Sequence, residues 1–227
     1  MASSTALAAP TLRQRTILGR WPTAVALVLA PLLIAVSDAA YALATANGGS
    51  DTTGPDTVAL LQAHPTLIMW ATQAALLACL CMVPAAFASG HLALSRAPKL
   101  AVTAAWIMGL GYIAYFGVVA TTFMDLAAVA QGTALDSFAA AIDASQDSGA
   151  SIWIFGLFVV GNLVGTPLLG AALWRAKVIP VWAAWLIMAW PLFHITGLAV
   201  GVEWFEVTGA LCMAVGFFQV ARKVLGS

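Results

Sequence analysis

Six runs of apolar residues dominate the chain, at about 21–43, 66–89, 100–124, 151–174, 181–200 and 202–221. The hydrocarbon core of a bilayer is about 30 Å thick, so a spanning helix needs about 20 mostly apolar residues. In hydrocarbon every backbone N–H and C=O must be satisfied internally, and runs of this length meet that demand as helices. The expectation is an all-α integral membrane protein, a six-helix transmembrane bundle. Composition agrees: 62% of residues are hydrophobic and 8% are charged, against roughly 25% charged in soluble domains. Residues 1–20 are expected to form a flexible cytoplasmic tail, 21–221 a single transmembrane domain, and 222–227 a short cytoplasmic tail.

Charge placement predicts the orientation. The basic residues are Arg13, Arg15, Arg20, Arg96, Lys99, Arg175, Lys177, Arg222 and Lys223. If the N-terminus is inside, all of them fall on the cytoplasmic side, as the excess of Lys and Arg in short cytoplasmic loops requires. The acids Asp38, Asp51, Asp56, Asp125, Asp136, Asp143, Asp147, Glu203 and Glu206 fall at or near the opposite face. The address this implies is a bacterial-type plasma (inner) membrane, multi-pass, with both termini cytoplasmic. Net charge is zero, which argues against a nucleic-acid partner; the expected partner is the lipid bilayer. Ala42-x-Ala44 after the first run resembles a signal-peptide cleavage site. That run exceeds the usual apolar length of roughly 7–15 residues, and Asp38 interrupts its end, so retention as a helix is expected.

Two outer connections differ in character. Residues 44–65, with "NGGSDTTGPD", read as an ordinary exposed loop. Residues 125–150 carry "ALDSFAAAID", which places Leu135, Phe138, Ala139 and Ile142 on one helical face. A short amphipathic interfacial helix between the third and fourth spans is predicted, a spacer in the plain reading and a lid in the sharper one.

"ALSRAPKLAVTAAW" (93–106) and "ALWRAKVIPVWAAW" (172–185) align without a gap, with eight of fourteen positions identical. Both form the basic turn of a helix pair, so either an internal duplication or convergence on Ala-rich segments with a basic turn explains the match. Gly161-x-x-x-Gly165 marks a close helix contact, inside the bundle or in a homo-oligomer. Pro31, Pro84, Pro167 and Pro191 fall within spans, where each frees a carbonyl and favours a kink. Most of the nine tryptophans read as interface anchors; Trp190 and Trp204, with Tyr112, Tyr115 and Phe116, are the alternative walls of a pocket. Cys79, Cys81 and Cys212 lie in apolar runs and read as small buried hydrophobes.

Ionisable groups in the spans carry the functional question. Counting along each helix at about 1.5 Å per residue places Asp38, His194 and Glu206 below the outer rim, with Glu203 at the lip and Asp125 closing the third span. Asn162 and Gln73 lie deeper. Charges in hydrocarbon cost about 2.5–3.5 kcal/mol or more and face a bundle interior or a wet cavity. The candidate ligand- or proton-binding set is Asp38, His194, Glu203, Glu206, Asp125 and Asn162. Three readings fit it: an outward-facing acidic/His pocket that binds a small or lipophilic ligand or relays protons; an intramembrane enzyme using Glu206 or Asp38 as general acid on a lipid-soluble substrate; and a purely structural polar cluster. His194, Glu203 and Glu206 match no established metal-ligand spacing, so no metal is expected. The absence of a Gly-rich phosphate loop, H-E-x-x-H and G-x-S-x-G leaves no cofactor indicated.

The segment "GNLVGTPLLGAALWRAKVIPVWAAWLIMAWPLFHITG" (161–197) resembles a passage of small bacterial polytopic membrane proteins of the domain-of-unknown-function type, with six or seven helices. In these a Gly-rich helix ends in Leu-x-Arg, and a turn with Pro and Trp opens the next. The resemblance implies an architecture and carries no activity.

Overall fold

In a computed structural model, residues 19–132 and 134–226 are described; most of the expected N-terminal tail, including Arg13 and Arg15, lies outside them. Every regular element among the described residues is helical: α1 (Arg20–Thr45), α2 (Gly54–Ala63), α3 (Pro65–Ala93), α4 (Pro98–Gln131), α5 (Leu135–Gln146), α6 (Gly149–Val160), α7 (Thr166–Arg175), α8 (Val181–Met188), α9 (Trp190–Val200) and α10 (Trp204–Leu225). A single π turn, Gly161–Gly165, joins α6 to α7. Six helical units are long and apolar enough to cross a membrane: α1, α3, α4, α6–α7, α8–α9 and α10.

These units form a closed ring in the order α1, α3, α4, α6–α7, α8–α9, α10, with α10 packed back along α1. The two ends of the ring differ in charge. One carries Arg20, the turns with Arg96, Lys99, Arg175 and Lys177, and the end of α10; the other carries the acids. The core along the axis mixes small residues with a few large ones: Ala30, Ala78, Ala85 and Ala104 beside Leu27, Met82, Met108 and Phe217. Alanine and glycine let the helices approach closely and gain van der Waals contact.

Gly161 shows this most sharply. A Cβ built on it overlaps the Gly111 Cα of α4, and one built on Gly165 overlaps the Met108 backbone. Gly161 and Gly165 thus form a close helix contact with α4 inside the bundle. The π turn has a local cause as well. Pro167 sits at the start of α7 without an N–H to donate, so the preceding turn widens. Pro191 acts similarly. The fifth span breaks at Ala189, between α8 and α9, and Leu192 N–H donates to the Ala189 carbonyl at 3.0 Å. Pro31 and Pro84 are carried through α1 and α3 without a break.

Several boundaries need correction. α4 continues to Gln131, so Asp125 lies within it instead of closing it. α10 continues to Leu225, so Arg222 and Lys223 belong to its last turn instead of a tail. His91 occupies the last turn of α3. The expected exposed loop at 44–65 contains α2. Thr53 caps that helix: its Oγ1 accepts from Asp56 N at 3.3 Å and donates to Asp56 Oδ2 at 2.7 Å, a side-chain N-terminal cap.

The predicted helix between the third and fourth spans is present as α5. Its face of Leu135, Phe138, Ala139 and Ile142 packs onto Val58, Leu61 and Val129, with Tyr41 at the edge. That face covers protein. Gly54 N–H donates to Asp143 Oδ1 at 2.5 Å, and a Cβ on Gly54 would overlap the Ala139 carbonyl. α2 and α5 therefore form a two-helix cap over the acidic end.

Candidate functional site

The α9–α10 hairpin builds the site. Gly201 ends α9 with φ +67°, the left-handed backbone that glycine adopts without penalty. Only Gly201, Val202 and Glu203 separate the two helices. A Cβ on Gly209 would lie 2.8 Å from Phe193 Cβ and 2.9 Å from Trp190 Cε3, so its absence lets α10 close on α9. This approach sets His194 Nδ1 at 3.1 Å from Glu206 Oε1, with both side chains largely buried. The ring N–H is not aimed along that line, and Nδ1 has no well-aligned hydrogen bond among the described residues. The contact is therefore an ion-pair approach more than a straight hydrogen bond. Trp190, one turn earlier, stacks against the imidazole at 5.7 Å between ring centres.

α1 supplies the opposing wall. Asp38 lies within electrostatic reach of Glu206 and Glu203, and one of its carboxylate oxygens, Oδ2, is buried with no hydrogen-bond partner among the described residues. Tyr41, one turn further out, faces Asp51 and lies near both glutamates. From α4, the Tyr115 phenol is within reach of Asp38 and Glu206, and its ring stacks on Phe158 of α6 at 4.2 Å. Tyr112 lies deeper, fully buried, with an unpartnered hydroxyl. Glu203 sits outside the spans as the residue preceding α10. Burial, reinforced by the Glu206 and Asp51 carboxylates, raises its carboxyl above the ordinary value, while His194 acts in the opposite direction.

Asp38, His194, Glu203 and Glu206 are thus neighbours. Asp125 and Asn162 are placed elsewhere. Asp125 is half-buried in the C-terminal part of α4, with no hydrogen bond or ion pair to the others. Asn162 is buried in the π turn. Its Nδ2 donates to the Phe158 carbonyl at 3.4 Å, and its Oδ1 is unpartnered. Tyr41 and Asp51 were missed by sequence reasoning; a tyrosine near a helix end reads as an interface anchor, and Asp51 lies in a Gly/Ser/Thr-rich stretch. Eight of the nine tryptophans are exposed on the outside of the bundle, whereas Trp190 is buried at the site.

The site has an open flank. α6 leans on α4, contributes no buried residue, and is not packed along α9. The acidic half of the bundle is thus loosest between α6 and α9, beside Tyr115 and His194. Chemically the cluster offers carboxylates, one imidazole and the phenols of Tyr41 and Tyr115, with no lysine or arginine at this end among the described residues. Among the described residues no three His, Cys, Asp or Glu side chains are grouped closely enough to share a metal ion. Comparisons with protein families, with curated proteins and with solved structures return no match.

Proposed function

We propose that the protein is a multi-pass protein of a bacterial-type plasma membrane, both termini cytoplasmic, whose outward-facing acidic/His site binds a small lipophilic ligand or relays protons. One observation carries the reading: Asp38 holds a buried carboxylate oxygen without a hydrogen-bond partner among the described residues, beside the His194–Glu206 contact. A buried polar atom left unpaired costs about 1–3 kcal/mol. A proton, or a donor group on a ligand, supplies what Asp38 lacks. The loose α6–α9 flank supports entry of a lipid-soluble molecule from the side. The segregation of basic and acidic residues to opposite ends supports the orientation.

The same Asp38 oxygen also favours a second reading, in which Asp38 or Glu206 serves as general acid on a lipid-soluble substrate. Infrared difference spectroscopy on proteoliposomes tests the first. Stepping the external medium from neutral to acid pH is expected to change a carboxyl band that disappears in Asp38→Asn. The enzyme reading requires instead that Glu206→Gln or Asp38→Asn abolish turnover with the fold intact. If no carboxyl responds, and Asp38→Asn, His194→Ala and Glu206→Gln all match the parent in stability and cellular phenotype, the site has no function. A reporter fused after Ser227 is expected to read as cytoplasmic.

A further inference from the structure

The opposite, basic end of the bundle holds a groove of about 580 Å³ between the first turn of α4 and the α7–α8 turn. Leu100, Trp174, Ile179 and Val181 give it an apolar floor, and Arg175 and Lys177 line it with positive charge. Lys99, the residue before Leu100, is exposed and adds a third charge at the start of α4. Arg96 Nη1 donates to the Ala176 carbonyl at 3.4 Å, tying the α3–α4 turn to the α7–α8 turn beneath the groove. Among the described residues none of these four cations is in ion-pair contact with a carboxylate, because all nine acids lie towards the other end.

Lys177 is held there against backbone preference. Val178 N–H donates to the Leu173 carbonyl at 3.0 Å and Lys177 N–H to the Trp174 carbonyl at 2.9 Å. This is the Schellman termination of α7, whose left-handed position glycine usually fills. Here lysine fills it, at φ +56°. Trp174 and Trp182 are exposed on either side of the turn, at the depth where tryptophan marks a membrane–water interface.

We propose that this groove binds an anionic phospholipid, with one acyl chain along Leu100, Trp174 and Val181 and the phosphodiester on Arg175 and Lys177. Charge selects the occupant. A zwitterionic headgroup brings its own cation towards Arg175 and Lys177, whereas phosphatidylglycerol leaves its phosphate unopposed. This lipid site is separate from the acidic/His site and does not depend on it.

Native mass spectrometry of the full chain in maltoside detergent tests the proposal, with dioleoyl phosphatidylglycerol, dioleoyl phosphatidylcholine and glycerol 3-phosphate as probes and thermal unfolding as a parallel readout. One phosphatidylglycerol is expected to be retained at about thirtyfold lower concentration than phosphatidylcholine, roughly fivefold per cation. The preference falls about fivefold in Lys177→Gly and is lost in Arg175→Gln/Lys177→Gly. Glycine suits the backbone at this position, so Lys177→Gly is expected to hold or raise the basal melting temperature, and loss of lipid binding in it is not a folding defect. Equal retention of the two lipids, a preference that survives the double variant, or stabilisation by glycerol 3-phosphate matching that by phosphatidylglycerol overturns the proposal.

Discussion

His194 and Glu206 approach to 3.1 Å across the α9–α10 hairpin, one from each helix and neither fully solvated. Removing either partner leaves the other partly buried without its counterpart. His194→Ala and Glu206→Gln are each expected to destabilise the protein by about 1–2 kcal/mol. Because the two loss terms describe one contact, the double variant should be less destabilised than their sum, with a coupling of about 0.5–1 kcal/mol. Thermal unfolding in detergent of the parent, both single variants and the double variant measures this. Strict additivity means that the approach contributes nothing.

Glu203 gives the site a pH signature. Its folded carboxyl binds a proton more tightly than an unfolded one, owing first to burial and then to Glu206 and Asp51. The sign follows from linkage: stability is fully present below the unfolded value of about 4.3 and declines as pH rises through the higher folded value. Glu203→Gln removes the titrating group. It is therefore expected to raise the melting temperature relative to the parent at about pH 7 and to leave it unchanged at about pH 4. A variant that is less stable than the parent at neutral pH contradicts this assignment.

The six long helices were legible because unbroken apolar runs of such length have few other ways to satisfy their backbone. Their ends were not, since the residues after Met124 and after Ala221 continue as good helix formers with no glycine or proline to stop them until Gly132 and Gly226. α2 was hidden by its own start signal. Thr53-Gly54-Pro55-Asp56 looks like a turn cluster, yet Thr53 caps the backbone N–H of Asp56 three residues on and bonds its carboxylate. Depth counting found His194 and Glu206 because a polar group well inside an apolar run is conspicuous. It misplaced Asp125, because depth gives height along the bundle and not direction around a helix. Asp51 joins Tyr41 only through the fold of the outer connection, a relation no local pattern contains. The spacing of Gly161 and Gly165 likewise shows that a seam exists but not which helix fills it; α4 does.

That seam makes a paired prediction. A Cβ on Gly161 meets the α4 backbone at 2.3 Å from the Gly111 Cα, and backbone cannot rotate away as a side chain can. Gly161→Ala is expected to cost about 1–3 kcal/mol through forced separation of α4 from the π turn. Gly117, on the same α4 helix, has nothing within 4 Å of the equivalent position. Gly117→Ala should be neutral or stabilise by roughly 0.5–1 kcal/mol, because alanine loses less conformational freedom in a helix. Melting temperatures moving in the same direction for both variants would contradict the close Gly161–Gly111 contact.

The cap over the acidic end supplies the last prediction. Asp143 of α5 accepts from the Gly54 N–H, an otherwise unpaired donor at the start of α2. Its negative charge there also favours the α2 dipole. Thr53 closes the same helix start from within the chain. Loss of either cap should cost about 1 kcal/mol, confined to α2 and α5, since both helices lie outside the ring of six spans. Hydrogen exchange is the suitable measurement because it resolves local opening. In Asp143→Ala and Thr53→Ala, peptides covering α2 should exchange several-fold faster, and peptides from α3 and α10 should keep the parent's protection. Tyr41 touches the cap's apolar cluster and also faces Asp51 beside Glu203. Loosening the cap is therefore expected to increase solvent access to the acidic/His site, read as faster reaction of an engineered Tyr41→Cys with a water-soluble thiol reagent in the Asp143→Ala background. An unchanged labelling rate there means that α2 and α5 are a spacer and not a lid.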